Sequence, residues 1–308
     1  MDAQAKDVLK RIAALSPTAA PNDDDAHWLA MFRNGVANLR AFAFAAPPEP
    51  VASVVNVIAG GVPTRLYRPV EGRLPLLLHI HGGGAIAGSV DGHDSALRAL
   101  ANRTGWLVAA PGYRLAPEHP FPAMLNDAWA ALNWLAKHGG DFNIDTSRIV
   151  VSGDSIGGAL TAAITLMARD QGGPALIGQI PIYPNTDLRR DAPYPSRRKN
   201  DGIIIGLPML ERQVDLYLGS QADRENPLAS PILAESLKGL PPALLVTCEC
   251  DPLLDEGEAY AKRLAEAGVP VRLERFDGQI HAFLQMGGFV DDTERLLAMI
   301  AEWLHGLS

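Results

Sequence analysis

From residue 51 onward, short apolar runs alternate with stretches in which apolar residues recur every three or four positions. The runs at 51–58, 64–68, 74–80, 106–110, 148–151, 176–182, 243–247 and 271–276 predict eight strands. Several are continuously apolar, as strands covered on both faces are. Helical spacing fills the intervals. Over 122–138, Leu125, Trp129, Leu132 and Leu135 share one face, with Gly139 as the stop signal. A second helix is predicted over 254–267, ended by Gly268 and Pro270, and a last one brings Leu296, Ile300 and Trp303 together. Strands alternating with helices predict an α/β fold with a mostly parallel eight-stranded sheet covered on both faces.

Two segments depart from this rhythm. Before the first strand, Val8, Leu9, Ile12 and Leu15, then Trp28, Phe32, Val36 and Leu39, predict two amphipathic helices closed by Pro47-Pro48-Glu49-Pro50. The Asp23-Asp24-Asp25 run between them reads as a helix cap and solvated face, because consecutive helical residues point in different directions and cannot share a metal. Between 185 and 225 there is no strand-like run. That segment holds a basic, proline-rich piece (Arg189, Arg190, Arg197, Arg198, Lys199), read as a solvated loop, and a helical pattern over 207–218. The expected organisation is therefore helices at 1–50, a main α/β domain at 51–184 and 226–308, and an insertion at 185–225.

Composition narrows the partners. Among 308 residues, 27 Lys and Arg against 35 Asp and Glu leave a net charge of −8, which would repel a nucleic-acid duplex or an anionic membrane surface. A small molecule or another protein is expected instead, and a homodimer is compatible with this surface. Both cysteines lie in Thr247-Cys248-Glu249-Cys250, a spacing unlike redox or zinc motifs, and are read as buried strand thiols. No apolar run approaches the roughly 18 residues of a membrane span, and the first residues lack the apolar core of a secretion signal. The expectation is a cytoplasmic protein without stable membrane insertion.

The chemistry concentrates in Gly153-Asp154-Ser155-Ile156-Gly157-Gly158, a G-x-S-x-G between a predicted strand and a helical pattern. A sharp strand-to-helix turn there would expose the Ser155 hydroxyl, with the flanking glycines giving room. A serine hydroxyl needs a base, an orienting carboxylate and donors for an oxyanion. Of the eight histidines, His281 comes late enough in the chain and follows a strand. Asp251 stands at the carboxyl end of the 243–247 run, where ligands bind in open α/β sheets, and is preferred to Asp255. His81-Gly82-Gly83-Gly84, leaving the 74–80 run, offers main-chain donors that can approach a substrate closely. It lacks the spacing of a phosphate loop. His79 and His81 share a strand face, but no third zinc ligand is evident, and His81 reads better as a brace for the glycine loop.

These residues resemble the hormone-sensitive lipase family of α/β-hydrolase esterases, in its GDSAG subgroup. The resemblance rests on the His81 to Gly84 loop, Tyr113 through Ala123, the Gly153 to Gly158 motif, Asp251-Pro252-Leu253 and Ile280-His281-Ala282-Phe283. It implies the α/β-hydrolase fold with a helical cap made by residues 1–50 and 185–225. It also implies Ser155 as nucleophile, His281 as base and then acid, Asp251 as its orienting partner, and N–H groups of Gly83, Gly84 and Ile156 as the oxyanion hole. No cofactor or metal is implied, and the substrate is a small carboxylic ester with a short to medium acyl chain. Three positions depart from the family pattern: Ile156 for a usual Ala, Ala85 for a common aromatic residue, and Ala282 for a usual Gly. An amidase or deacetylase with the same triad, or a non-catalytic receptor on the same fold, is the alternative. Ester hydrolysis predicts a rate that falls below about pH 6.5, where an imidazole base protonates.

Overall fold

The structure, a computed structural model, describes residues 1–15, 24–38 and 46–307. Leu39 of the second predicted helix and Asp23 lie outside the described residues. All eight predicted strands are present and form one sheet: β1 (Ser53–Ala59), β2 (Val62–Arg68), β3 (Leu74–Ile80), β4 (Leu107–Pro111), β5 (Ile144–Asp154), β6 (Gly178–Ile182), β7 (Ala243–Cys250) and β8 (Val271–Ile280). Their spatial order is β1-β2-β4-β3-β5-β6-β7-β8. β2 runs antiparallel to both β1 and β4, and the pairings from β4 through β8 are parallel.

The helices are α1 (Ala3–Leu15), α2 (Asp25–Asn38), α3 (Asp94–Thr104), α4 (Ala123–His138), α5 (Ile156–Asp170), α6 (Pro195–Lys199), α7 (Leu207–Tyr217), α8 (Leu254–Glu266) and α9 (Asp292–His305). The pleat of β3 shows how the layers are made. Leu76, Leu78 and Ile80 point toward α4 and α5, whereas Leu77 points toward α3 and α9. α5 is buried from Ile156 through Met167, as expected of a helix apolar on nearly every side.

Three local details go beyond the sequence pattern. β5 begins at Ile144, because Ile144 and Asp145 pair with Leu74 and Pro75 before a register shift that carries the polar residues Thr146 to Arg148. α4 ends at His138 with Gly139 at its C-cap, as the sequence predicts, but Gly139 keeps a right-handed conformation and opens a short 3-10 turn that ends at Asn143, in the left-handed region at φ 52. α3 carried no strong signal in the sequence, since its apolar face is only Leu97, Leu100 and Ala101.

The two N-terminal helices dock on different parts of the molecule. Ala5 and Val8 of α1 join the core formed by β7, β8 and α9, and the Asp2 N–H donates to the Gly278 carbonyl at 3.1 Å. Trp28 and Leu29 of α2 instead share a cluster with Leu210 and Val214 of α7. Asp24 caps α2, its carboxylate accepting the His27 N–H at 2.9 Å.

Leu78 is fully buried on β3, the strand that lies between β4 and β5. Leu78→Ala is expected to lower unfolding free energy by about 2–5 kcal/mol through lost burial and the cavity left behind. Denaturant unfolding would show it as a drop in midpoint, and a change under 1 kcal/mol would contradict this packing.

Candidate active site

β5 ends at Asp154, α5 begins at Ile156, and Ser155 alone makes the turn. Its backbone lies at φ 59, ψ −122, a strained conformation for a residue with a Cβ. The turn closes because α5 comes directly against β3. A Cβ on Gly157 would overlap the Ile80 carbonyl oxygen, and one on Gly153 would lie 2.7 Å from it. The Ser155 N–H is held by the Ile182 carbonyl at 2.9 Å.

The structure brings together three of the predicted residues from distant parts of the chain. Ser155 Oγ lies 2.9 Å from His281 Nε2, and His281 Nδ1 lies 2.7 Å from Asp251 Oδ2. Each stands just past a strand's carboxyl end: Ser155 after β5, Asp251 after β7, His281 after β8. Asp251 is fully buried and its turn is held on both sides. Its Oδ1 accepts the Leu253 N–H at 2.9 Å, and the Asn200 amide donates to its carbonyl at 3.0 Å. Asp255 faces elsewhere, accepting the Ser196 N–H at 2.7 Å. The His281 ring packs against Tyr183, with centroids 4.8 Å apart. Ala282, where a glycine is usual in the resembling family, sits at φ 67 and carries the strain a glycine would not.

The glycine loop after β3 lies across from Ser155. Gly83 is at φ 139, and a Cβ there would overlap the Ala87 carbonyl oxygen. Gly83 also accepts the Ala87 N–H at 3.0 Å, so the loop folds back on itself. Among the described residues no acceptor takes the N–H of Gly83 or Gly84. Ile156, first in α5, carries one of the N–H groups a helix leaves unpaired at its start. The arrangement can therefore hold a developing negative oxygen beside the serine.

His81 braces this loop, as the sequence suggests. The Tyr113 hydroxyl donates to the His81 carbonyl at 2.6 Å and lies 2.8 Å from its Nδ1. Asp154 accepts the Gly82 N–H at 2.8 Å. Burial pushes the Asp154 carboxyl up, but the charge and hydrogen bonds of His93 and His79 outweigh it and hold it well below the usual carboxylate range. Among the described residues no group of three or more His, Cys, Asp or Glu side chains is placed to hold a metal ion.

Sequence reasoning missed Arg33. From α2 it donates to the Ile86 carbonyl at 2.7 Å and to the Ala116 carbonyl at 2.9 Å, just beyond the glycine loop. It also grips Glu118 through two bonds of 2.7 Å. A lone arginine on a predicted helix gives no sign of such a target. The basic piece after 185 is likewise not a solvated loop throughout. Arg197 is buried, bonds Glu256 Oε2 at 2.7 Å and donates to the Asp187 carbonyl, because α6 folds onto α8. Cys248 and Cys250 are unpaired and buried in β7, and burial pushes the Cys248 thiol up, away from the reactive thiolate.

The Arg33 guanidinium holds the Glu118 carboxyl at about 2, below its ordinary 4.5. A carboxyl lowered in the folded state adds stability above the unfolded value and loses it as pH falls through the folded one. Wild type is thus expected to outlast Glu118→Gln above pH 4.5, and this margin should shrink between 4.5 and 2. Thermal melts of both proteins from pH 2 to 6 would test this, and a margin constant over the range would refute it.

A family model described as the alpha/beta hydrolase fold matches residues 77–285. The chain is 38% identical over 278 residues to the esterase LipI of Mycobacterium tuberculosis, covering 84% of this chain and 86% of LipI. It is 38% identical over 250 residues to the ethyl acetate hydrolase of Pseudomonas putida, covering 79% and 78%. The solved Pyrobaculum calidifontis esterase superposes with a TM-score of 0.88 at 34% identity, over 100% of both chains. With this fold, this order of strand-end residues and this extent of similarity, the chain belongs to the hormone-sensitive-lipase-like family of α/β-hydrolase carboxylic ester hydrolases.

Proposed function

We propose that this protein hydrolyses carboxylic esters through an acyl-enzyme on Ser155. The observation that carries the proposal is the unbroken chain from Ser155 Oγ to His281 at 2.9 Å and from His281 to Asp251 at 2.7 Å. Ser155 Oγ attacks the ester carbonyl carbon while His281 Nε2 takes its proton. Asp251, accepting at Nδ1, fixes the ring and favours the imidazolium that forms. The carbonyl oxygen, now negative, is held by the N–H groups of Gly83, Gly84 and Ile156. Collapse breaks the bond to the alcohol oxygen, which leaves with the proton from His281. Water then attacks the acyl group with His281 again as base, and the acid departs with Ser155 restored.

The substrate is inferred to be a small ester with a short to medium acyl chain. In support, one relative is named for the hydrolysis of ethyl acetate. The helices α2 and α7, joined by Arg212 lying over the Trp28 ring at 4.7 Å and pairing with Asp25, are inferred to roof the site as a cap. Among the described residues no helix is long and apolar enough to cross a membrane. The two unpaired cysteines fit a reducing, cytoplasmic setting.

Ser155→Ala is expected to lower kcat on a chromogenic short-chain ester by about 10⁴-fold or more while leaving the melting temperature near wild type. Retention of turnover would overturn the assignment. Across a series of nitrophenyl esters from acetyl to dodecanoyl, kcat/KM should peak at the short end. A peak at dodecanoyl would instead indicate a site built for lipid.

A further inference from the structure

Asp154 is the residue beside the serine, and nothing in the ester-hydrolysis scheme uses it. It is 1% exposed, and the scheme brings neither substrate nor reacting atoms to it. Removing a carboxylate from water costs several kcal/mol unless it gains hydrogen bonds in return. Here those bonds come from two distant parts of the chain, the loop after β3 and the turn after His281. Its Oδ1 accepts the Gly82 N–H at 2.8 Å and faces His93 Nε2 at 3.3 Å and His79 Nε2 at 3.4 Å. Its Oδ2 accepts from Gln285 Nε2 at 3.0 Å, and that amide also reaches His93 Nε2 at 2.8 Å.

Two of these partners matter for catalysis by their place in the chain. Gly82 immediately precedes Gly83 and Gly84, whose N–H groups face the oxyanion. Gln285 lies in the short turn Phe283–Gln285 that follows His281. The loop that holds the oxyanion and the loop that carries the base are therefore tied to one buried carboxylate. That carboxylate sits on the residue whose next peptide bears the nucleophile. The room between them is closely set, since a Cβ on Gly82 would lie 2.6 Å from Asp154 Oδ2 and 3.1 Å from the Ser155 Cβ.

The geometry points to Asp154 as a positioning residue for ester hydrolysis, whose buried carboxylate sets the oxyanion loop against Ser155 by holding Gly82. The inference rests on the Ser155 reading above. An ionised acceptor gives a hydrogen bond roughly twice as strong as a neutral one. Its bonds to Gly82 and Gln285 also require an acceptor on each oxygen. Asparagine at 154 would have the same shape but would turn an amide N–H₂ toward one of the donors. Gly82 would lose its anchor or Gln285 would be pushed away, and a misplacement near 1 Å in such a site costs on the order of 10²-fold in rate.

The test compares an ester with its thionoester, in which sulfur replaces the carbonyl oxygen. N–H donors set for a compact oxyanion stabilise the larger, softer sulfur anion poorly, so the rate ratio of the pair reports the oxyanion loop rather than the base. Asp154→Asn is expected to lower kcat for the ester by about 10- to 100-fold with KM little changed. The thionoester should slow much less, so that the ratio shrinks. General damage to the site would slow both substrates alike. Equal slowing, or an ester kcat within twofold of wild type, would overturn the inference. If Asp154→Asn shows no cooperative melt, Gln285→Met, which removes one donor to the same carboxylate, should shrink the ratio in the same direction; an unchanged ratio there overturns it. Ser155→Ala run beside them keeps the two readings apart. Its inactivity with a normal ratio in Asp154→Asn refutes only the positioning role, whereas full turnover in Ser155→Ala refutes the reading beneath it.

Discussion

At Ser155 the backbone passes from the central strand into α5 in a single residue, at φ 59, ψ −122. The rest of the site depends on that turn. It puts the serine at the sheet's carboxyl edge, directly before the start of α5. A side chain in this region of conformation is strained by roughly 1–3 kcal/mol, and such strain persists only where the surroundings over-determine it. Here they do. α5 is buried along its first three turns, β5 is paired on both sides, and the Gly157 backbone lies hard against the Ile80 carbonyl, so the chain has no easier path between strand and helix.

The same approach of α5 to β3 places the glycine loop. β3 and β5 are parallel neighbours in register from Leu76 with Ile149 to Ile80 with Gly153, so what leaves β3 must emerge beside what leaves β5. The loop at 82–84 and the serine are therefore brought together by sheet register. Register alone does not fix the direction of the N–H groups. That is done by a second set of contacts: Tyr113 on the His81 carbonyl, Arg33 on the Ile86 carbonyl and Asp154 on the Gly82 N–H. Each is a polar group, buried or partly so, whose loss would leave a partner unsatisfied.

On the other side of the site, the segment between β6 and β7 is joined to α8 and to the end of β7 by polar contacts. Arg197 reaches Glu256, Ser196 donates to the Pro252 carbonyl at 2.8 Å, and Asn200 bonds the carbonyls of Glu249 and Asp251, each at 3.0 Å. These contacts converge on the turn that presents Asp251. α6 and Asn200 thus act as part of the frame of the site. A buried ion pair such as Arg197 with Glu256 adds little net stability over an apolar pair, but it admits few alternative packings.

Much of this was legible in the sequence. Eight strands, the serine turn, the glycine loop and the order Ser155, Asp251, His281 follow from local signals. Strand runs, punctuating glycines and strand-end positions are set by neighbouring residues, through backbone geometry and the burial of apolar faces. α3 was not legible, since its apolar face is three residues wide, nor was the start of β5, where the polar residues Asp145 to Arg148 follow Ile144. The joins were not legible either. Arg33 meeting Glu118 spans 85 positions, Gln285 meeting Asp154 spans 131, and Arg197 meeting Glu256 spans 59. Hydrogen bonds and ion pairs carry no periodicity, and a charged side chain looks the same in a sequence whether it ends in water or against a buried partner. The sequence by itself determined which chemistry the chain carries and where its elements start and stop, because those are properties of short segments. Only the tertiary structure decided how the catalytic groups are held at working distance, because that depends on which distant segments the sheet order brings side by side.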